Sequence, residues 1–294
     1  MLSFRSGWGK ICISLLNCRL SFFCSAMKHT VLIFDSGVGG LSILQEVRQL
    51  LPNLALSYLM DNAAFPYGVQ PDDVLLRRIV NVCCSAVEVL QPDLLIIACN
   101  TASTIALPAL RQQLSIPVVG VVPAIKVAAN SAPGGHIGLL ATPATINRTY
   151  TDDLIAEFAS GCTVHRFGSS ELVLLAEEFM LGYDINSALI EHVGKWIDST
   201  PTMTHVVLGC THFPLLNPLL QRQWPKIQWI DSGNAIARRV QQLLPVILDD
   251  NKSGELQLLW TDAKQMPTAA ETFLSQMGPI SHAAPLSVKE FSYT

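Results

Sequence analysis

Two cysteines stand apart from the rest by what precedes and follows them. Cys99 closes the apolar run Leu94-Leu95-Ile96-Ile97-Ala98 and leads into Asn100-Thr101-Ala102-Ser103. Cys210 closes Val206-Val207-Leu208-Gly209 and leads into Thr211-His212-Phe213-Pro214, 111 residues further on. Each reads as a strand end turning into a helix start, a place where backbone N–H groups favour a thiolate. A lone cysteine is ordinarily a small buried hydrophobe, and Cys83, Cys84 and Cys162 are read that way. The polar escort, present twice, reverses that reading for Cys99 and Cys210. Two equivalent thiols suit either a disulfide or a pair of proton carriers. A disulfide needs Cα atoms about 4.4–6.8 Å apart, whereas carriers flanking a substrate stand further apart. Such a pair takes a proton from one face of a carbon, returns it to the other and inverts the centre without a cofactor.

A Cα–H beside a carboxylate is a very weak acid, so this chemistry needs groups that stabilise a carbanion and tune the thiols. Asp35 and His212 are the candidates, one per side. His212, two residues after Cys210, could relay or orient a proton or make a structural hydrogen bond. Asp35 opens the turn Asp35-Ser36-Gly37-Val38-Gly39-Gly40 and could equally cap it. The glycines of that turn expose N–H groups to an anion, and a substrate carboxylate is an adequate one. The dinucleotide pattern G-x-G-x-x-G fails at Ser42 and no Walker A sequence occurs, so no nucleotide cofactor is expected; Asp61 is its one weak trace. Hydroxyls at Ser36, Thr101, Thr142 and Thr211 offer further donors. There is no pyridoxal signature, Lys126 being the nearest lysine. No CxxC pair or zinc spacing occurs, so no metal is expected and the thiols are read as reduced.

The elements that must hold these groups follow from hydrophobic patterning. Strands are expected at Thr30–Phe34, Leu54–Met60, Asp93–Ala98, Val118–Val122, Ile137–Ala141, Thr163–Phe167, Val206–Gly209, Ile227–Ile230 and Leu256–Trp260. Helices are expected after Gly40, over Asp72–Leu90, after Cys99, over 124–131, from Thr142, over Glu171–Met180, 185–197 and 234–247, with a final helix ending the chain. This alternation predicts an α/β protein of two similar doubly wound parallel-sheet domains, with the active site in the cleft between them. Ligands in such sheets bind beyond the carboxyl ends of strands, where Asp35, Cys99, Thr142, Cys210 and Asp231 all fall. Residues 1–27 read as an extension, disordered or arising from an upstream start, because Asn17 and Arg19 interrupt its apolar run. Half of the 294 residues are hydrophobic and the net charge is −4, with no basic run beyond Arg77-Arg78 or Arg238-Arg239. Nucleic acid therefore has no electrostatic footprint, and no long apolar run predicts a membrane span.

Taken together, Asp-Ser-Gly-Val-Gly-Gly at 35–40, Phe-Pro-Tyr-Gly at 65–68, Ala-Cys-Asn-Thr-Ala-Ser at 98–103 and Leu-Gly-Cys-Thr-His-Phe-Pro at 208–214 resemble the glutamate racemase family of the aspartate/glutamate racemase superfamily. The match runs in order over residues 28–250. The resemblance implies cofactor-independent interconversion of L- and D-glutamate, with D-glutamate feeding peptidoglycan synthesis in a bacterial cytoplasm. It implies that Cys99 serves the D-isomer and Cys210 the L-isomer, assisted by Asp35 and His212. Glu177 is the best-placed match for a glutamate that contributes in some members. Ser36, Pro66, Tyr67, Gly68, Asn100, Thr101, Thr211 and His212 match substrate contacts, and Thr142 joins them from its strand end. Family architecture implies one domain from 28–122 plus 232–294 and a second from 123–231. The stretch Gly168–Val173, which departs from a Cys-Pro-containing version common in the family, and the N-terminal extension resemble the enterobacterial-type subgroup, where a UDP-muramoyl precursor acts as activator. Oligomeric state is left open. Rival readings are a racemase for aspartate, a non-catalytic protein on the same scaffold, and a dithiol redox protein with an oxidised pair.

Overall fold

The structure, a computed structural model, describes residues 29–183, 187–244 and 253–289. The extension at 1–27 and parts of the segments expected around 185, 247 and 249–254 lie outside them. The first strand, β1 (Thr30–Asp35), leads through the glycine-rich turn into α1 (Leu41–Leu50) and β2 (Ala55–Met60). Next come α2 (Asp72–Leu90), β3 (Leu94–Ile97), α3 (Asn100–Gln113), β4 (Val118–Gly120) and α4 (Ile125–Ser131). The chain then forms β5 (His136–Ala141), α5 (Pro143–Ile146), α6 (Thr149–Phe158), β6 (Thr163–Gly168), α7 (Glu171–Met180), α8 (Ser187–Asp198) and β7 (Met203–Leu208). It ends with α9 (Asn217–Gln223), β8 (Gln228–Ile230), α10 (Gly233–Leu243), β9 (Leu256–Trp260), α11 (Thr268–Met277) and β10 (Ile280–Pro285).

The strands form two sheets, in the orders β10-β9-β2-β1-β3-β4 and β6-β5-β7-β8. Every pairing in both is parallel. The order β2-β1-β3-β4 in the first sheet repeats as β6-β5-β7-β8 in the second. The internal repeat suspected from the two cysteines is therefore a repeat of topology. Parallel strands covered on both faces must be apolar on both, and Leu94–Ile97 of β3 are buried without exception. Separate apolar clusters lie on the two faces of each sheet. Among the described residues no helix is long and apolar enough to cross a membrane.

Three expectations change. Among the described residues the last element is not a helix, because β10 follows α11 and pairs with β9. Its sequence Ile-Ser-His-Ala-Ala-Pro lacks the β-branched run that marks a strand, and Pro285 is tolerated because β10 is an edge. The loop after β2 contains two short 3-10 turns, Asn62–Ala64 and Tyr67–Val69. After Cys210 comes a 3-10 turn, Phe213–Leu216, before α9, whereas Cys99 is the N-cap of the fourteen-residue α3. Pro214 and Pro218 each sit in the first turn of their own short element, where a missing N–H costs nothing.

Candidate active site

In each sheet the strand order reverses between the first and third strands of the repeat, and at that switch point a crevice opens beyond the carboxyl ends. Asp35 ends β1 and Cys99 follows β3 in one sheet; Thr142 follows β5 and Cys210 follows β7 in the other. The two crevices meet. One narrow cavity of about 20 Å³, room for about one water molecule, is lined by Ser36, Pro66, Tyr67, Gly68, Cys99 and Thr101 from the first half. Thr142, Cys210 and His212 line it from the second, with Val69, Ser170 and Val173 added, which sequence reasoning did not assign to the site. A wider surface hollow of about 510 Å³ between α8 and α9 contains none of the candidate residues.

The surroundings of the two thiols differ. Cys99 is buried, with Ser36 Oγ 3.9 Å from its sulfur. Burial, then the Asp35 charge, push this thiol well above the ordinary range, and the Ala102 N–H at the start of α3 opposes them only in part. Cys210 faces an imidazole instead, its sulfur 3.8 Å from His212 Nδ1. His212 Nε2 lies 2.8 Å from Glu177 Oε1, so the carboxylate accepts from Nε2–H and the other ring nitrogen faces the sulfur. Burial alone would drive His212 down, but its hydrogen bonds to Cys210 and Glu177 outweigh it and raise the imidazole well above its usual range. Phe65 packs on the ring, 5.8 Å between centroids.

Asp35 accepts from the Gly37 N–H at 2.9 Å and from Thr211 Oγ1 at 3.0 Å. It therefore caps its own turn and also grips the cysteine loop of the opposite sheet. Burial raises its carboxyl above the usual range, although His212 and both hydrogen bonds act against this. Two amides of the glycine-rich turn already have partners within the protein. Gly37 N–H is taken by Asp35, and Val38 N–H donates at 2.8 Å to Glu177. The anion at this helix start is the protein's own.

The turn has a second, steric task. A side chain at Gly39 would run into Thr211 and His212, and one at Gly40 would meet the Cβ atoms of Asp35 and Ala98 at 2.9 Å. Thr142 caps α5 by accepting from Thr145 N–H at 3.2 Å. Two expected contacts, Asn100 and Thr211, line a smaller hollow behind Cys210 rather than the main cavity, and the buried Asn100 Oδ1 has no partner. Asp231, also in that hollow, accepts from Gly233 N–H at the start of α10. Lys126 sits over the Phe158 ring. The five cysteines among the described residues are not in disulfides in this structure.

With this geometry in view, comparison with known proteins is informative. A profile of the Asp/Glu/Hydantoin racemase family matches residues 41–240. The chain is 46% identical over 255 residues to a glutamate racemase of Shewanella halifaxensis, covering 86% of this chain and 95% of that protein. A glutamate racemase of Photorhabdus laumondii is 50% identical over 222 residues, covering 74% and 77%. A crystal structure of Escherichia coli glutamate racemase in complex with L-glutamate and the activator UDP-MurNAc-ala superposes with a TM-score of 0.77 at 40% identity, covering 89% of this chain and 99% of that one. This chain belongs to the Asp/Glu/Hydantoin racemase family, among its glutamate racemases, and is an isomerase of amino-acid configuration.

Proposed function

We propose that the protein interconverts L- and D-glutamate by proton transfer between two thiols. Cys99 acts on the D-isomer and Cys210 on the L-isomer. A thiolate on one side removes the Cα proton, and the electron pair left on carbon delocalises into the carboxylate. The S–H on the other side then gives its proton to the opposite face. The product leaves with the protonation of the two sulfurs exchanged, ready for the reverse reaction. The observation that carries this reading is the single cavity shared by the two sulfurs, at equivalent strand ends of two repeated sheets.

The unequal surroundings assign the helpers. His212, held by Glu177, faces Cys210, while burial and then the Asp35 charge keep Cys99 protonated when the site is empty. Ser36, Thr101, Thr142 and the Pro66–Gly68 wall hold the substrate. Both proton carriers being side chains, this mechanism requires no cofactor. We assign one domain to 28–122 plus 232–294 and the other to 123–231. We further infer that the product supplies peptidoglycan synthesis in the cytoplasm and that a UDP-muramoyl precursor activates the enzyme, as the E. coli complex suggests.

Incubating either glutamate enantiomer in deuterated water, with circular dichroism and Cα exchange followed together, tests the reaction. Loss of the dichroic signal and incorporation of deuterium into the inverted product are expected. A clear preference for D-aspartate over D-glutamate would overturn the substrate, and full activity in both Cys99→Ser and Cys210→Ser would overturn the mechanism.

A further inference from the structure

Asp61 ends up completely buried just beyond β2, and the mechanism above gives it no task. Four donor hydrogens converge on its carboxylate. Arg78 donates from Nε at 2.7 Å and from Nη2 at 2.5 Å. Tyr67 OH and Thr261 Oγ1 each donate at 2.5 Å. A carboxylate has about four acceptor positions, so nothing remains for a ribose or any other ligand, and the trace of a nucleotide site is removed. Burying a charge is costly unless it is fully paired, so such a group is expected where it fixes something.

What it fixes is visible in the origin of the donors. Arg78 comes from α2, Thr261 from the end of β9, and Tyr67 from the cavity wall. Neighbouring bonds tie the same two strand ends together: Asn62 Oδ1 accepts from the Thr261 and Asp262 N–H groups at 3.1 and 2.9 Å. Tyr67 is buried in the same apolar cluster as Cys99, whereas Cys210 belongs to a different one. Its hydroxyl donates to Asp61. Burial, and then the Asp61 charge, hold that phenol well above its ordinary range, so it stays protonated and keeps donating.

We propose that Asp61 is a positioning residue for the Cys99 half of the reaction, holding Tyr67 and with it the Pro66–Gly68 wall against the substrate face that Cys99 serves. This inference rests on the two-thiol reading. Its readout is directional. The equilibrium constant between enantiomers is unity, so any variant lowers kcat/KM equally both ways. Isotope effects escape that constraint, because a Cα deuteron is carried by Cys99 when it starts on the D-isomer and by Cys210 when it starts on the L-isomer. Slowing only the Cys99 step makes that step more rate-limiting. The isotope effect then rises with Cα-deuterated D-glutamate and falls toward unity with Cα-deuterated L-glutamate.

Asp61→Asn in the full chain is expected to lose roughly 10- to 100-fold in kcat/KM, as small displacements at a reacting centre do, with isotope effects diverging in that sense. Tyr67→Phe removes only the hydroxyl and shifts them the same way, less far. The double variant goes no further than Asp61→Asn alone, since the two act as one unit. A folded Asp61→Asn protein with parental isotope effects overturns the proposal, as does a double variant whose losses simply add. Should Asp61→Asn not fold, Tyr67→Phe and Thr261→Val carry the same test with the same outcomes. If the Cys→Ser variants racemise normally, the two-thiol reading itself falls and takes this inference with it.

Discussion

The two thiols are equivalent by topology and unequal by environment. Cys99 has a buried carboxylate nearby, and Cys210 has an imidazole backed by a carboxylate. Each is indispensable if the proton must cross the carbon, so Cys99→Ser and Cys210→Ser should each lower racemisation by about 10²- to 10⁴-fold, the usual weight of a positioned acid or base. Circular dichroism of either enantiomer measures it. Glu177 acts through His212 and should matter less, with Glu177→Gln losing about tenfold, or 1.4 kcal/mol of transition-state stabilisation. Its sharper signature is pH dependence. The folded-state pKa of His212 lies above its unfolded value, so the imidazolium is favoured by folding. That stabilisation is fully present below about pH 6.5 and disappears as pH rises through the higher folded value. Glu177→Gln removes one cause of the shift. The Tm gap between parent and variant should therefore be open at neutral pH and narrow as the solution becomes alkaline. A gap that stays constant with pH would mean that Glu177 does not hold the charge on His212.

The turn between β1 and α1 works as a contact surface between the halves, and its glycines follow from that. Placing a methyl group at Gly39 forces Thr211 and His212 aside. Overpacking a tight contact costs about 1–3 kcal/mol, and Gly39→Ala should show it as a lowered Tm together with reduced turnover, because the displaced loop carries Cys210. Parental activity in this variant would show that the loop has slack. Elements with strong local signals were readable from sequence: α2 and α7 fall on their expected boundaries, and β3 is the apolar run before Cys99. The four strand-end groups Asp35, Cys99, Thr142 and Cys210 were readable too, because a doubly wound sheet forces its chemistry to those ends. The strand β10 was not, since its pairing with β9 comes from context rather than composition. The Asp61 cluster was hidden for another reason. Thr261 lies 200 residues from Asp61, and no local pattern reports a hydrogen bond over that separation. Glu177 was found by family resemblance alone; its own stretch gives no hint that it answers His212 and Val38.

Taken whole, the molecule is two repeated sheets that meet at the cavity, and the proposed reaction needs that narrow cavity to widen for substrate. Some contacts between the halves lie close to the site, the buried Thr211 to Asp35 and the part-buried Glu177 to Val38. One lies nearer the outside. Arg148, just before α6, makes two 2.7 Å hydrogen bonds to Asp72 at the start of α2, with 17% of the arginine side chain and 63% of the aspartate side chain exposed. The Arg148 hydrogen bonds hold the Asp72 carboxyl below its usual range, against a smaller opposing effect of burial. The bridge is thus complete above about pH 3.8 and fails only as pH falls through the lowered value, so it is intact throughout the neutral range. An ion pair this exposed contributes only about 0.2–1 kcal/mol to stability, and Arg148→Ala should leave Tm nearly unchanged. Because it joins the start of α2 to the residue before α6, across the two halves, that small energy acts on closure. The variant should bind substrate less tightly, with KM for both enantiomers raised by up to about fivefold, the equivalent of 1 kcal/mol. Salt separates this effect from any direct screening of the charged substrate. Added salt weakens the bridge in the parent but has no bridge to weaken in the variant, so the two KM values should converge as ionic strength rises. If they instead rise in parallel, with a constant ratio, Arg148 does not latch the halves together and closure is governed by the contacts close to the site alone.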